Sequence, residues 1–199
     1  KTELKTSFKN LDFYELEKLT NGQAISCYEA IKNTKEIDLP LTISACDNGV
    51  IYDYKKFISL TENTSIDIIV WVAKGYPGAV RNPEMYGWVD VDSDGRITGV
   101  SVKAPLQDPE KDSVIIGTFT YKDSDSYLKA VDAMVERKGT VNSEFYIDSC
   151  LQDSIDQGKK VVAFEVDKYI CWGTPNDLMT YEYWQSCFNK WDEHPYKID

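Results

Sequence analysis

The chain has 199 residues, 42% of them hydrophobic and 28% charged, the balance of a soluble globular domain with room for one sizeable core. Its 33 acidic and 22 basic side chains leave a net charge of −11, which repels polyanions and argues against a surface built for nucleic acid. No apolar run is long enough to span a bilayer, the first ten residues carry no apolar signal core, and 13 Tyr with 5 Trp argue against disorder.

In chain order, TNGQA (20–24) joins a turn to a small-residue helix start, whose backbone N–H groups either approach a ligand or simply open the helix. LTISACD (41–47) reads as a buried strand that stops on Asp47, with Asn48 and Gly49 next. Strand ends in open α/β sheets are where ligands bind, so Asp47 faces either water or ligand phosphates. In the second case a divalent cation has to offset carboxylate–phosphate repulsion. YKKFISLT (54–61) reads as a short helix, and IDIIVWVA (66–73) as a strand covered on both faces. GWVDVDSDGRITGVSVK (87–103) reads as two strands around an Asp-Ser-Asp-Gly turn. Asp90, Asp92, Asp94 and Gly95 also match the opening of an EF-hand loop. Its twelfth position is Ser101 and its flanks read as strands, so the carboxylates are assigned to the turn.

SVIIGTFTYK (113–122) reads as another strand. From 123 to 138, Tyr127, Leu128, Val131, Met134 and Val135 recur at helical spacing, and Gly139 closes the helix. Ile147, Leu151 and Ile155 repeat every four residues and predict a helix over 144–157. KVVAFEV (160–166) and YICW (169–172) return to strand. A last helix starts with Thr174 as N-cap, Pro175 at its first position and Asp177 at the capping-box position. This alternation predicts one α/β layered domain with a mixed sheet.

On a helix over 144–157, Glu144 and Asp148 share a face. Two carboxylates there could meet Asp47 across a cleft around Mg²⁺, which takes one or two carboxylates plus phosphate oxygens. The plainer reading is a first turn favoured by the helix dipole. Lys103 ends a strand, where its ammonium either holds a phosphate or stays solvated. The five cysteines are Cys27, Cys46, Cys150, Cys171 and Cys187, without a C-x-x-C, and imply a reducing, cytoplasmic setting. Cys46 and Cys171 lie in apolar runs, where a thiol packs as a small hydrophobe. The one histidine, His194, is near the C-terminus, which disfavours chemistry that needs a central His base.

TNGQA, ACDN, MYGWVDVD, SVKAP, VIIGTF, SEFYID and WGTPNDL, in that order, resemble the sugar-phosphate nucleotidyltransferase family over residues 20–184. The resemblance implies a layered Rossmann-like fold with a mixed sheet. It implies an enzyme that joins a nucleoside triphosphate to a sugar 1-phosphate, releasing pyrophosphate with Mg²⁺ as cofactor, in nucleotide-sugar and polysaccharide biosynthesis. It places Gly22 and Gln23 at the nucleotide base, Tyr86 and Gly87 at the sugar, Lys103 on the sugar phosphate and Glu144 on the sugar. Asp47 falls on the metal-binding Asp, which makes Asp47 and Lys103 the catalytic pair. The family's second metal Asp is Cys171 here. A neutral thiol is a poor Mg²⁺ ligand, so Asp148 or Glu144 is the expected substitute. Nothing before Thr20 resembles the family's opening glycine-rich loop, which cradles the triphosphate. The resemblance therefore implies a partial domain over 1–199, with the N-terminal part of the fold missing and no turnover by the isolated chain. The alternative is a non-catalytic domain that binds sugar phosphate or sugar nucleotide. Neither nucleic acid nor a membrane is an expected partner, and an unpaired sheet edge would favour a homo-oligomer.

Overall fold

A computed structural model of the chain describes residues 2–8, 10–34 and 39–191; His194 lies outside the described residues. In chain order its elements are α1 (Thr2–Ser7), α2 (Gln23–Lys32), β1 (Leu41–Ser44), β2 (Asn48–Ile51), α3 (Tyr54–Thr61), β3 (Ile68–Ala73) and α4 (Pro77–Arg81). A 3₁₀ turn (Pro83–Met85) leads into β4 (Gly87–Val91), β5 (Ile97–Val102), β6 (Ser113–Tyr121), α5 (Ser124–Glu136), α6 (Ile147–Asp156), β7 (Val161–Glu165), β8 (Lys168–Cys171) and α7 (Pro175–Lys190). The expected α/β layering with a mixed sheet is present. The main sheet runs β5-β4-β6-β3-β7, with β1 also on β6; β3 and β7 are parallel and the other pairs antiparallel.

All six residues of β3 are buried, as its unbroken apolar sequence requires, because helices cover both faces of the sheet. On one face, Tyr127, Val131 and Met134 of α5 and Ile147 and Leu151 of α6 pack on Ile68, Val70 and Phe119. On the other, Trp71, Trp88 and Phe164 meet Phe57 and Leu60 of α3. Asp123 caps α5 by accepting from the Ser126 N–H at 2.7 Å. The helix ends at Glu136, and the left-handed residue after it is Lys138 (φ +57) rather than Gly139. The β4–β5 turn is held by Asp92 Oδ1, which accepts from the Asp94 and Arg96 N–H groups at 2.9 Å each, so its carboxylates serve the hairpin as expected. Thr174 caps α7 as the sequence predicts, accepting from the Asp177 N–H at 3.2 Å.

Two elements differ from expectation. The strand expected to be buried and to stop on Asp47 ends at Ser44, and its burial alternates between half-buried and exposed. It lies on one partner, β6, so only one of its faces and one of its edges is covered. The helix expected over 144–157 begins at Ile147. Asn142 and Ser143 take left-handed φ values of 50° and 66°, and Val141 bridges to Glu144 in a turn before the helix. Glu144 is therefore off the helix and shares no face with Asp148. Among the described residues, no helix is long and apolar enough to cross a membrane.

Candidate functional site

The site forms where β6 changes partners. Its residues Ser113 and Val114 pair with β4, while Thr118 to Tyr121 pair with β1. The change falls at Gly117 (φ +76), where a Cβ would come within 3.1 Å of the Ala45 Cβ. The chain leaving β1 is tied to this bend. Ala45 N–H donates to the Gly117 carbonyl (3.0 Å), and Asn48 Nδ2 donates to the Ile116 carbonyl (2.9 Å). Asp47 lies between these ties, exposed, with its carbonyl accepting from the Trp172 N–H at 2.7 Å.

Pairing of β2 with β8 sets Asn48 opposite Cys171 and so brings Asp47 to the WGTP turn. The Asp47 carboxylate and the Cys171 Sγ lie 3.0 and 3.3 Å from the point that a Cβ on Gly173 would occupy. The glycine leaves room for both. Gly173 N–H donates to Sγ at 3.4 Å. Tyr86 and Tyr169 pack nearby, half-buried against the apolar core. Burial first, and Cys171 second, push both phenols above the ordinary tyrosine range. Tyr76 joins them, its ring centroid 4.8 Å from Tyr169 and 6.1 Å from Tyr86. The expectation that Cys46 packs as a small hydrophobe is corrected, since Cys46 is exposed; Cys171 is half-buried, near tyrosines that pack on the apolar core.

Tyr86 leads from this cluster to a second one. Its carbonyl accepts from the Lys103 N–H at 3.0 Å. Lys103 takes a left-handed φ of 58°, which turns its side chain back so that Nζ donates to the Met85 carbonyl and lies 5.5 Å from the Tyr146 ring centroid. A Cβ on Gly87 would run into the Asp148 carboxylate and come within 3.2 Å of Ile115 Cδ1. Burial pushes the Asp148 carboxyl up to about 6, against the opposing pulls of its own backbone N–H and of Lys103. The Glu144 carboxylate is the main reason that the Tyr146 phenol is raised above the ordinary tyrosine range.

Gly22 (φ +112) serves a contact between backbones. A Cβ there would lie 2.5 Å from the Phe145 carbonyl oxygen, while Phe145 N–H donates to Asn21 O (2.9 Å) and Ala24 N–H donates to Phe145 O (3.1 Å). TNGQA is thereby stitched to SEFYID, and Gln23 opens α2 as an exposed side chain. The structure thus brings Tyr86, Gly87, Lys103, Glu144 and Asp148 to one end, and Asp47 with Cys171 to the other. No three His, Cys, Asp or Glu side chains group as a metal set among the described residues. The exposed Asp47 carboxylate fits a cation that takes one protein carboxylate and completes its shell with phosphate oxygens.

No protein-family model and no curated protein matches the sequence. Solved structures do match. A nucleoside-diphosphate-sugar pyrophosphorylase from Vibrio cholerae RC9 is similar with a TM-score of 0.69 at 18% identity, over 90% of this chain and 73% of the other. The chain has the sugar-phosphate nucleotidyltransferase fold. A Bacillus anthracis protein assigned as a glucose-1-phosphate thymidylyltransferase gives 0.63 at 14% identity, over 86% of this chain and 64% of that one. The inositol-1-phosphate CTP transferase from T. maritima gives 0.57 at 18%, over 81% and 60%. The chain therefore spans 60 to 73% of the length of these nucleotidyltransferase-fold structures.

Sequence reasoning missed Tyr76, Tyr146 and Tyr169 as site residues. Tyr146 was within reach, one position after Phe145 in the quoted SEFYID. Tyr76 and Tyr169 carry no local signal, since each meets the site only through long-range packing.

Proposed function

We propose that this chain is the sugar-phosphate-binding portion of a sugar-phosphate nucleotidyltransferase, which forms a nucleotide sugar from a nucleoside triphosphate and a sugar 1-phosphate with release of pyrophosphate. The observation that carries the reading is the turn at Tyr86, where Gly87, the Lys103 ammonium and the Glu144–Tyr146 pair meet on this fold. Lys103 supplies a point charge for the sugar phosphate, and Tyr86 with Gly87 and Glu144 receives the sugar. The Lys103 charge opposes the rise of the Asp148 carboxyl. Gly22 and Gln23 remain the residues nearest the nucleotide base in this reading. Asp47 would hold Mg²⁺, which when bound neutralises phosphate charge. A sugar phosphate oxygen attacks the α-phosphorus in line, and the chain's contribution is position and charge, with no side-chain nucleophile. A cytoplasmic setting, where sugar phosphates and nucleoside triphosphates are supplied, belongs to the same reading. The pairing of Asp47 with a cysteine in place of a second carboxylate favours a second reading, in which the chain binds the sugar phosphate without turning it over.

Calorimetry with a panel of sugar 1-phosphates, their free sugars and inorganic phosphate tests the proposal. One sugar 1-phosphate should bind at least tenfold more tightly than its free sugar, because only the ester engages Lys103. No binding by any sugar 1-phosphate would reject it. Pyrophosphate release by the isolated chain is expected to stay at background, and release above background would reject the second reading.

A further inference from the structure

The proposed function leaves a groove between β5 and α6 without a task. It encloses about 540 Å³, within the roughly 300–1,000 Å³ of small-ligand pockets. Val100 and Val102, two apart on β5, give it an apolar side. Asp148, Gln152 and Asp156 recur every four residues on α6 and, with Ser149, give it a polar side. The remaining wall is the turn from Arg137 to Val141, which its own backbone holds. Gly139 N–H donates to the Met134 carbonyl (2.9 Å), Thr140 N–H donates to the Lys138 carbonyl (2.8 Å), and Val141 and Glu144 bond each other in both directions (2.9 and 3.0 Å). These ties set the wall in place without a ligand. Two buried serines of α6 then differ in a telling way. Ser154 Oγ donates back to the Cys150 carbonyl at 3.2 Å, which satisfies a hydroxyl inside its own helix. Ser149 is 5% exposed, and its hydroxyl has no hydrogen-bond partner among the described residues. An unpaired buried hydroxyl is costly to fold around, and Ser149 lines the groove, where a ligand is placed to supply the partner.

The lining does not favour an ion. Two acids, Asp148 and Asp156, stand against two bases, Arg137 and Lys138. Arg137 already commits Nε and Nη2 to the Asp153 carboxylate, at 2.5 and 2.8 Å. Gln152 Nε2 donates to Asp156 Oδ1 (2.9 Å), which orients the amide and leaves its carbonyl for a donor. Hydroxyl, amide and carboxylate beside a valine surface match a ring whose hydroxyls both donate and accept and whose C–H face packs. We propose that this groove binds a neutral polyhydroxylated ring, an unphosphorylated sugar or cyclitol. Its C–H face lies on Val100 and Val102, and its hydroxyls meet Ser149, Gln152 and Asp156. One ligand hydroxyl gives Ser149 the partner that it lacks. The inference does not rest on the sugar-phosphate reading, because neither Lys103 nor Glu144 lines the groove.

NMR on valine-methyl-labelled protein, with the Val100 and Val102 signals assigned by Val100→Ile and Val102→Ile, reads the groove directly. D-glucose, N-acetyl-D-glucosamine and myo-inositol are titrated separately, with inorganic phosphate as the contrasting probe. At least one ring should shift both valine signals saturably, and phosphate should leave them in place. Ser149→Ala and Gln152→Ala should each weaken binding of that ring by roughly threefold or more. Ser149→Ala should also melt at or above the wild-type midpoint, because it removes a hydroxyl that is unpaired in the free protein. No saturable shift with any ring, wild-type affinity in either variant, or valine signals that follow phosphate overturns the inference. A lowered midpoint in Ser149→Ala would give the hydroxyl a partner within the chain and overturn it as well. If Ser149→Ala does not fold, the half-buried Gln152 decides through its alanine variant. Failure of every sugar 1-phosphate to bind rejects the functional reading above and leaves this one standing.

Discussion

The two ends of the candidate site are built from different material. The Lys103 end stands on β4 and β5 and on α6, where Gly87, Trp88, Ile147 and Leu151 are buried and Asp148 is wedged against Gly87. The Asp47 end stands on an edge strand, a bend and a two-stranded sheet, with Asp47 and Gly173 exposed. The Asp148 carboxyl at the first end is held against Gly87 and shifted by burial. A charge at the second is free to meet a ligand and costs little to place. The same substitution should therefore give different results at the two ends.

Glycine to alanine is the sharpest contrast. Gly87→Ala pushes a methyl group into the Asp148 carboxylate and toward Ile115, and should cost about 1–3 kcal/mol of stability in denaturant unfolding. A Gly87→Ala protein as stable as wild type would break the contrast. Next comes pH. The folded Asp148 carboxyl binds its proton more tightly than the unfolded one, so its burial costs nothing below about pH 4 and increasingly more toward pH 6. Stability should fall by about 1–2 kcal/mol over that window, discounted for the partial exposure of the group. Asp148→Asn should lose this slope, and a persisting slope would assign it to other groups. The smallest effects belong to the Asp47 end. Gly173→Ala and Asp47→Asn should each stay within about 0.5 kcal/mol of wild type, because their surroundings can shift into solvent. A larger loss in either would mean that this end is packed as the other is.

Legibility followed the same division. β3 declared itself because a strand covered on both faces has no polar side to interrupt it. α5 and α7 declared themselves through Asp123 and Thr174, whose side chains satisfy helix N–H groups. β1 was misjudged because its apolar residues were counted and their order was not: Leu41 and Ile43 alternate with Thr42 and Ser44, the pattern of a half-covered edge. Glu144 was misjudged because the four-residue repeat begins at Ile147, and the Asn142–Ser143 turn ahead of it stops the helix from extending back. The order of short motifs led to Tyr86, Gly87, Lys103 and Asp47. The Cys171 cluster was out of reach, since residues 76, 86, 169 and 171 come together only when β8 folds beside the Tyr86 loop.

The central claim is that Lys103 presents its charge to a sugar phosphate. The most direct measurement is calorimetry of one sugar 1-phosphate against wild type and Lys103→Ala, with the fold of the mutant checked by its melting midpoint. Loss of one charged hydrogen bond, about 1.5–3 kcal/mol, should weaken binding by roughly ten- to a hundredfold while binding of the free sugar stays unchanged. Equal affinity of the two proteins for the sugar 1-phosphate would contradict the account.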